Sequence, residues 1–388
     1  MNARLPICKQ ILGDLISYDV LGGQTNLTIL DYIIGFLIER RIEYYLVPND
    51  DCTKASLFCR IGPATDGGVI LSGHTDVVPV AGQDWKTDPF ILTEKDNKLY
   101  GRGSCDMKGF IACCLASADL FSKAGLKKPV YFAFSYDEEV GCLAGPALAR
   151  AIKSHYPEKP SMAIIGEPSV MKVVTGHKGI CVLKTTISGS AGHSSRIRQE
   201  VSAVHVAAGV IRWMEDKMEQ LIADGRTDSR FMPPHTTIHA GMIQGGIAPN
   251  VIADKCTLYW DIRVIPRDNV REIIAEFQHW CSNYTAELQK KFNGASISTV
   301  EDHPPVVPLG TDDDAAVVRL VCKLTGESET ETVAYAAEAG QFAEAGFQTV
   351  ICGPGDIAQA HRADEFVDIN QLDKCLAMMD KLCGYLSS

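Results

Sequence analysis

The stretch "GGVILSGHTDVVP", residues 67–79, predicts a buried strand that ends in two polar side chains. Side chains on a strand alternate between its two faces, so His74 and Asp76 should point the same way. Such a pair can belong to a polar loop at the end of a core strand. It can also be a metal ligand, His74, with the carboxylate that orients its ring, Asp76. The pair alone leaves both interpretations open.

Apolar strands of this kind alternate with helical patterns through the first part of the chain. In order, the patterns predict a strand at 67–74, a helix at 107–125, a strand at 129–139, a helix at 143–154 and a strand at 161–168. Alternation of strand and helix indicates a mainly parallel sheet covered by helices. We therefore predict an α/β domain with helices on both faces of its sheet.

The pattern changes after His177-Lys178-Gly179 and later changes back. Hydrophobicity alternates with period two over residues 179–195. Further strand-like and helical segments follow, at 202–223, 236–246, 256–266 and 270–291. Strands with two helices on one face are typical of a small α+β domain of ferredoxin-like type. We therefore predict a discontinuous catalytic domain, residues 1–179 and 295–388, with residues 180–294 as an inserted dimerisation or lid domain.

Composition excludes several classes of partner. The 37 basic and 48 acidic residues give a net charge of −11, which argues against nucleic acid or an anionic membrane as the main partner. No apolar stretch approaches the ~20 residues of a membrane span, and residues 1–20 lack the apolar core of a signal peptide. The 14 cysteines include no Cys-x-x-Cys pair, so we predict buried thiols in a reducing cytoplasm.

Acidic and imidazole side chains recur just past the predicted strands of the first domain. They are His74, Asp76, Asp106, Glu138, Glu139, Glu167 and His361. Each alone has an ordinary explanation, such as a loop histidine, a turn residue or an acid in the first turn of a helix. In open α/β sheets, however, ligands bind outside the carboxyl ends of the strands, where these side chains would meet. The combination therefore predicts one functional cleft.

Two imidazoles with several carboxylates are a donor set that suits zinc. So many carboxylates would repel one another, and two divalent cations sharing one carboxylate ~3.5–4 Å apart would offset that repulsion. The adjacent pair Glu138 and Glu139 would then divide its roles, one binding metal and the other serving as general base toward a metal-bound water. A serine hydrolase is the weaker enzyme hypothesis, because "GHSS" lacks the G-x-S-x-G turn.

Six segments, "SGHTDVVP", "GRGSCDMKG", "SYDEEVG", "IIGEPS", "SGSAGHSS" and "GPGDIAQAHRADE", resemble the dinuclear-zinc aminoacylase and carboxypeptidase family. The resemblance implies two Zn²⁺ per subunit, with Co²⁺ as a possible substitute. One zinc would be held by His74, Asp106 and Glu167, and the other by Asp106, Glu139 and His361, so that Asp106 bridges them. It also implies Glu138 as general base, Asp76 as the partner of His74, and a cis peptide bond at Asp106–Met107.

The resemblance extends to the substrate pocket and to assembly. It implies a homodimer built through the inserted domain, with His193 reaching into the partner's active site to stabilise the oxyanion. Without the family, His193 would be an ordinary loop histidine. Asn250 and Arg263 would bind the substrate, Arg263 by gripping its α-carboxylate. Gly353 and Gly355 would supply backbone N–H groups.

The function that the resemblance implies is release of acetate from N²-acetyl-L-ornithine, a step of arginine biosynthesis. Glu338 and Asp356 would favour a cationic side chain on the small-molecule substrate, although Asp356 can equally be a surface carboxylate without a role. Three alternatives remain: desuccinylation of N-succinyl-diaminopimelate, hydrolysis of another N-acyl amino acid or dipeptide, and a catalytically silent scaffold. The sequence leaves the native metal and the acyl group open.

Overall fold

The computed structural model describes residues 1–388. Its α-helices are α1 (Leu5–Ile16), α2 (Leu27–Glu39), α3 (Lys108–Lys123), α4 (Gly145–His155), α5 (Ala203–Ala223), α6 (Val270–Gln289), α7 (Ala316–Thr325), α8 (Ala339–Glu344) and α9 (Ile369–Ser387). No helix has the combination of length and apolar character needed to cross a membrane.

The strands are β1 (Tyr44–Pro48), β2 (Ala55–Ile61), β3 (Val69–His74), β4 (Thr93–Lys95), β5 (Lys98–Tyr100), β6 (Val130–Ser135), β7 (Met162–Pro168), β8 (Val173–His177), β9 (Gly179–Ser188), β10 (Gly192–His193), β11 (Thr237–Gly245), β12 (Val251–Ile252), β13 (Lys255–Val264), β14 (Ser296–Glu301), β15 (Leu309–Gly310), β16 (Thr330–Val333), β17 (Gln348–Gly353) and β18 (Phe366–Asp368). The chain divides into two compact units. The first comprises Met1–Gly176, Leu309–Thr332 and Ala337–Ser388, and the second comprises His177–Pro308 and Val333–Ala336.

The first unit is built on a nine-stranded mixed sheet. Its strand order is β1-β2-β6-β3-β7-β17-β8-β15, with β16 paired to β8. The four central strands β6, β3, β7 and β17 are parallel, whereas β1, β2 and β8 pair antiparallel with their neighbours. The α/β class with a parallel centre is thus confirmed, and the antiparallel flanks make the sheet mixed.

Helices cover both faces of this sheet, as predicted. Every residue of β3 and β6 is buried, so each strand needs apolar cover on both sides. On one face, α1, α3, α7 and α9 share a core with Val69, Leu71 and Phe132. On the other, α4 and α8 pack against each other and against the strands, burying side chains such as Leu148.

The register of the parallel strands places their carboxyl ends at one edge. His74, the last residue of β3, lies opposite Ser135 at the end of β6. Ser72 lies opposite Ile165 of β7, so continuing that register by two residues brings His74 level with Glu167. Residues that follow these strands are therefore close in space, because parallel strands end on the same side of the sheet.

The second unit is an antiparallel sheet with two long helices. Its strand order is β11-β13-β9-β14, and α5 and α6 pack on it. Its own core includes Leu183, Trp260 and Phe277. This arrangement is the α+β type expected from the period-two segments and the two helical patterns.

The boundary predicted at 294–295 is displaced in the structure. Strand β14 follows that boundary in sequence, yet it pairs with β9 along its whole length, from Ser296 opposite Ser188 to Glu301 opposite Leu183. Residues through Pro308 therefore belong to the second unit, together with Val333–Ala336. The strand has no fully buried residue, so its sequence carries little of the hydrophobic alternation that would have revealed it.

Buried His177, the last residue of β8, gives the stability of the protein a testable dependence on pH. Burial lowers the pKa of His177 to about 4, from about 6.5 in an unfolded chain. The unfolded state therefore binds a proton that the folded state excludes, and stability falls as the pH drops from about 6.5 toward 4, by up to about 3 kcal/mol. His177→Gln should flatten this part of the profile in urea unfolding at several pH values. The control is His279→Gln, which replaces an exposed histidine of α6; equal slopes for both variants would contradict the assignment.

Candidate metal centre

His74 is fixed at the end of β3 with one ring nitrogen aimed at carboxylates. Its side chain is 1% exposed, and Nδ1–H donates to the main-chain oxygen of Asp76 at 2.8 Å. In the neutral ring, that hydrogen bond leaves the lone pair on Nε2. Nε2 lies 3.0 Å from Asp106 Oδ1 and 3.7 Å from Glu167 Oε1. His74 is therefore oriented to act as a ligand through Nε2.

Asp106 stands between two imidazoles, in the loop that leads into α3. Its Oδ1 faces His74, and its Oδ2 lies 3.4 Å from Nε2 of His361. The same His361 nitrogen is 3.0 Å from Glu139 Oε2. One carboxylate that offers a separate oxygen to each histidine has the geometry of a bridging ligand. The Asp106–Met107 peptide bond is cis, as the resemblance implies.

The ligand atoms form two overlapping groups. Those of His74, Asp106 and Glu139 lie within 4.8 Å of one another, and so do those of His74, Glu138 and Glu167. The structure therefore gathers His74, Asp106, Glu138, Glu139, Glu167 and His361 at one edge of the sheet. Spacings of this size are compatible with ions placed between these atoms.

The electrostatics of the cluster favour positive charge at its centre. The ion-pair partners of Asp106, Glu139 and Glu167 are the two histidines, and none is a lysine or arginine. Burial alone would lower the pKa of His74, but the hydrogen bond to Asp106 and the nearby Glu167 raise it well above its usual value. Hydrogen bonds to Asp106 and Glu139 raise the pKa of His361 to about 10. The donor atoms and the excess of buried carboxylates are compatible with a pair of divalent metal ions.

The pKa values of the carboxyl groups in the cluster are also shifted. Burial raises the pKa of Glu138 and of Glu167 well above the ordinary range, and it raises that of Glu139. For Asp106, burial is outweighed by hydrogen bonds from His361 and His74, which hold its pKa below the usual range. A carboxyl with a raised pKa is suited to accept and release a proton near neutral pH.

Asp76 differs in detail from the expectation. Its carboxylate Oδ1 is 3.7 Å from His74 Nδ1, and the ring is held instead by the Asp76 main-chain oxygen. The carboxylate accepts the N–H groups of Glu138 at 3.2 Å and Glu139 at 3.1 Å. Asp76 thus holds the ring of His74 with its main-chain oxygen. With its side chain it holds the turn that carries Glu138 and Glu139. Alternation on a strand cannot reveal this, because the chain leaves the strand at His74.

A buried ion pair that the sequence analysis missed supports Asp106. Arg102 Nη1 is 2.6 Å from Glu365 Oε2, and both side chains are 1% exposed. Glu365 Oε1 accepts the N–H groups of Cys105 and Asp106, at 2.9 and 3.1 Å. Gln83 extends the network, since it accepts from Arg102 and donates to the main-chain oxygen of His361 at 3.0 Å. Glu365 is visible in the sequence as the acidic residue of "HRADE". Its partner Arg102 is far away in sequence, so the ion pair could not be predicted.

Glu338 directly precedes α8 in the first unit and is buried. It is 1% exposed, and its Oε1 has no hydrogen-bond partner. Burial raises its pKa to about 7. Asp356, by contrast, is exposed and accepts the N–H of Ala358 at 2.9 Å, which caps the short 3₁₀ helix Ile357–Gln359. A local role thus accounts for Asp356.

The N–H of Gly353, which was expected to face a substrate, has a partner within the protein. Its N–H donates to Ser169 Oγ at 3.1 Å, so it is not free to bind a substrate. Gly355 has φ +97°, and a Cβ there would lie 2.6 Å from Cys105 Sγ. Glycine at this position therefore serves the close approach of the loop to Cys105.

The remaining candidate residues lie in the second unit. His193 is exposed on β10 and lies opposite Val251 of β12. Asn250 precedes Val251 in the chain, and its main-chain oxygen accepts the N–H of Ser194 at 3.0 Å. Ser195 donates to His193 Nδ1 from its N–H at 3.2 Å. Arg263 lies on β13, with Nε 3.5 Å from Asp261 Oδ1.

Comparisons with known proteins agree with the geometry. The model of peptidase family M20/M25/M40 matches residues 70–384. The acetylornithine deacetylase of Pasteurella multocida (strain Pm70) is 34% identical over 98% of each chain, and that of Myxococcus xanthus is 32% identical over 99% of each. A solved M20 family metallo-carboxypeptidase from Sulfolobus solfataricus shares the fold, with a TM-score of 0.77 at 16% identity over 100% of both chains. The chain therefore belongs to peptidase family M20/M25/M40.

Proposed function

We propose that this protein is a two-zinc amidohydrolase that converts N²-acetyl-L-ornithine and water to L-ornithine and acetate. The observation that carries the proposal is Asp106, whose two oxygens each face one imidazole within a cluster rich in carboxylates. Relatives 32–34% identical over nearly the whole chain, each an acetylornithine deacetylase, support the substrate. Cobalt could replace zinc, because the same ligand set accepts both.

The proposed ligands are those that the family resemblance implies, and the distances among them are compatible with this assignment. His74, Asp106 and Glu167 would hold one ion, and Asp106, Glu139 and His361 the other. When bound, two divalent cations would polarise the acetyl carbonyl and lower the pKa of a water molecule to about 7. Arg102, Glu365 and Gln83 keep the loops of Asp106 and His361 in place.

Glu138 is the proton carrier in this proposal. Its carboxylate lies beside the ligands without being needed as one, and its pKa is raised by burial. As general base it takes a proton from the attacking water, and as general acid it then delivers that proton to the leaving nitrogen. Asp76 holds the backbone of this turn, so the carboxylate starts from a fixed position.

His193 would complete the site of a second subunit. Because Nδ1 accepts from Ser195, the ring proton sits on Nε2, where it can donate to a developing oxyanion. Edge strand β11 and the turn after it offer a surface for a second copy, since Met242 and Ile243 on the strand are each more than half exposed and Ile247, beyond its end, is 88% exposed. We propose a homodimer built through this strand.

Mixed dimers test the role of His193 in the partner. His193→Ala and Glu138→Gln subunits carrying different tags are co-expressed, and the heterodimer is isolated. If His193 acts across the dimer, one of the two sites holds both native residues, and activity should be about half that of the wild type. An inactive heterodimer would contradict action across the dimer.

The substrate pocket would contact both charged ends of the substrate. Arg263 would grip the α-carboxylate in two places, with Asn250 as a further polar contact. The unpartnered Oε1 of Glu338 would attract the δ-ammonium of ornithine. The proposed cytoplasmic location agrees with cysteines that are all free and, with the exceptions of Cys52 and Cys322, buried.

Glu338→Gln tests selectivity for a cationic side chain. The variant should raise KM for N-acetyl-L-ornithine about tenfold, because one charge-assisted contact is lost, and change KM for N-acetyl-L-methionine little. Michaelis–Menten kinetics on both substrates measure the difference. An equal change for both would show that Glu338 does not read the side chain.

The acyl group is tested by comparing substrates. We expect kcat/KM to be at least tenfold higher on N-acetyl-L-ornithine than on N-succinyl-LL-diaminopimelate, a difference of about 1.4 kcal/mol in the transition state. A higher kcat/KM on N-succinyl-LL-diaminopimelate would agree with the same two-metal mechanism but would contradict a role in arginine biosynthesis. Activity confined to dipeptides would exclude a place in arginine biosynthesis.

A further inference from the structure

A cysteine without an assigned role contacts the carboxylate of Glu138. The Cys142 side chain is buried, and Sγ lies 3.2 Å from Glu138 Oε1. Both atoms belong to the first unit. Burial raises the pKa of the Cys142 thiol well above its usual value, and the neighbouring Glu138 and Glu338 carboxylates raise it further. The sulfur therefore keeps its proton and is the donor in this hydrogen bond.

The backbone around Cys142 is folded to make that contact. The N–H groups of Gly141 and Cys142 both donate to the main-chain oxygen of Glu138, at 3.0 and 2.8 Å. Cys142 has φ +52°, a left-handed conformation that glycine or asparagine would adopt at lower cost. A cysteine at such a position points to a use for its side chain.

Helix α8 holds the turn from the other side. Gln341, itself 6% exposed, donates from Nε2 to the main-chain oxygen of Cys142 at 2.9 Å. Cys142 is thus anchored through its backbone at both ends, to Glu138 and to α8. Its side chain has little freedom to leave Glu138.

We propose that Cys142 is a positioning residue for Glu138: its thiol holds Oε1 and leaves Oε2 to accept the proton of the attacking water. The inference rests on the proposed function, in which Glu138 is the general base. One proton moves from water to Glu138 Oε2 and then to the leaving nitrogen, and Cys142 keeps its own proton throughout. A thiol is a weak donor, so it orients the carboxylate without strongly stabilising its charged form.

Two substitutions and a matched control test the proposal on zinc-loaded protein with N-acetyl-L-ornithine. Cys142→Ala should lower kcat about tenfold with KM nearly unchanged, because the base is present but less well oriented. Cys142→Ser restores a donor and should recover kcat to within about threefold of the wild type. Cys59→Ala removes a fully buried thiol of β2 from the same unit and should leave kcat unchanged.

Coupling to Glu138 separates positioning from a merely structural role. In a Glu138→Gln background, Cys142→Ala should cause no further loss of kcat, since the group that it orients is gone. The inference would be overturned if Cys142→Ala kept the wild-type kcat, or if Cys142→Ala and Cys59→Ala lowered kcat equally. It would also be overturned if Cys142→Ser did not recover kcat. Near-normal kcat in Glu138→Gln alone would instead overturn the assignment of the general base in the proposed function.

Discussion

Replacing Glu138 with glutamine should lower kcat by about 10³-fold, within the usual range for loss of a general acid–base group. Glutamine has nearly the same shape and keeps an oxygen near Cys142, but it cannot take a proton from water. KM should change little, because Glu138 acts on the reacting water and not on the substrate's side chain or α-carboxylate. Steady-state kinetics on N-acetyl-L-ornithine measure both values.

The control for this variant is Glu344→Gln, at the exposed end of α8 in the same unit. It removes the same charge outside the cluster and should leave kcat unchanged. Zinc content, measured by elemental analysis, should match the wild type in both variants. Loss of zinc from Glu138→Gln would show that Glu138 is a ligand, as its place in one of the two groups of ligand atoms allows.

Asp106→Asn should lower activity at least as far, by removing the shared ligand. Asparagine offers one carbonyl oxygen and no negative charge, whereas the carboxylate presents Oδ1 to His74 and Oδ2 to His361. We expect fewer than two zinc ions per subunit after dialysis, and kcat/KM reduced by about 10³-fold or more.

Stability offers a second measurement on Asp106→Asn. Ligands that bind only the folded state raise the melting temperature, so added zinc should stabilise the wild type more than this variant. Asp88→Asn, at an exposed turn, is the control and should respond to zinc as the wild type does. Two tightly bound zinc ions in Asp106→Asn would contradict a bridging role.

The parts of the fold that the sequence predicted are those with strong local patterns. Strands β3, β6 and β7 are continuous apolar runs, and α5 and α6 carry long helical periodicity, so each was found to within a few residues. The hairpin of β1 and β2 and the helix α2 were missed. Strand β1 has no fully buried residue, which weakens its pattern.

The cluster of acids and histidines was predictable for a physical reason. Parallel strands end at one edge, so a polar residue just past each strand is brought to the same place whatever the loops between them do. The supporting contacts depend instead on distant pairings that one sequence does not reveal. Glu365 lies 263 residues from Arg102, and Gln341 lies 199 residues from Cys142.

Hydrolysis of N-acetyl-L-ornithine should need two metal ions held by this cluster. The most direct measurement is kcat/KM on that substrate for protein stripped of metal with a chelator and then titrated with zinc. We predict negligible activity in the stripped protein, and full activity when two zinc ions are bound per subunit. Full activity in the stripped protein, or none at any zinc content, would contradict the account.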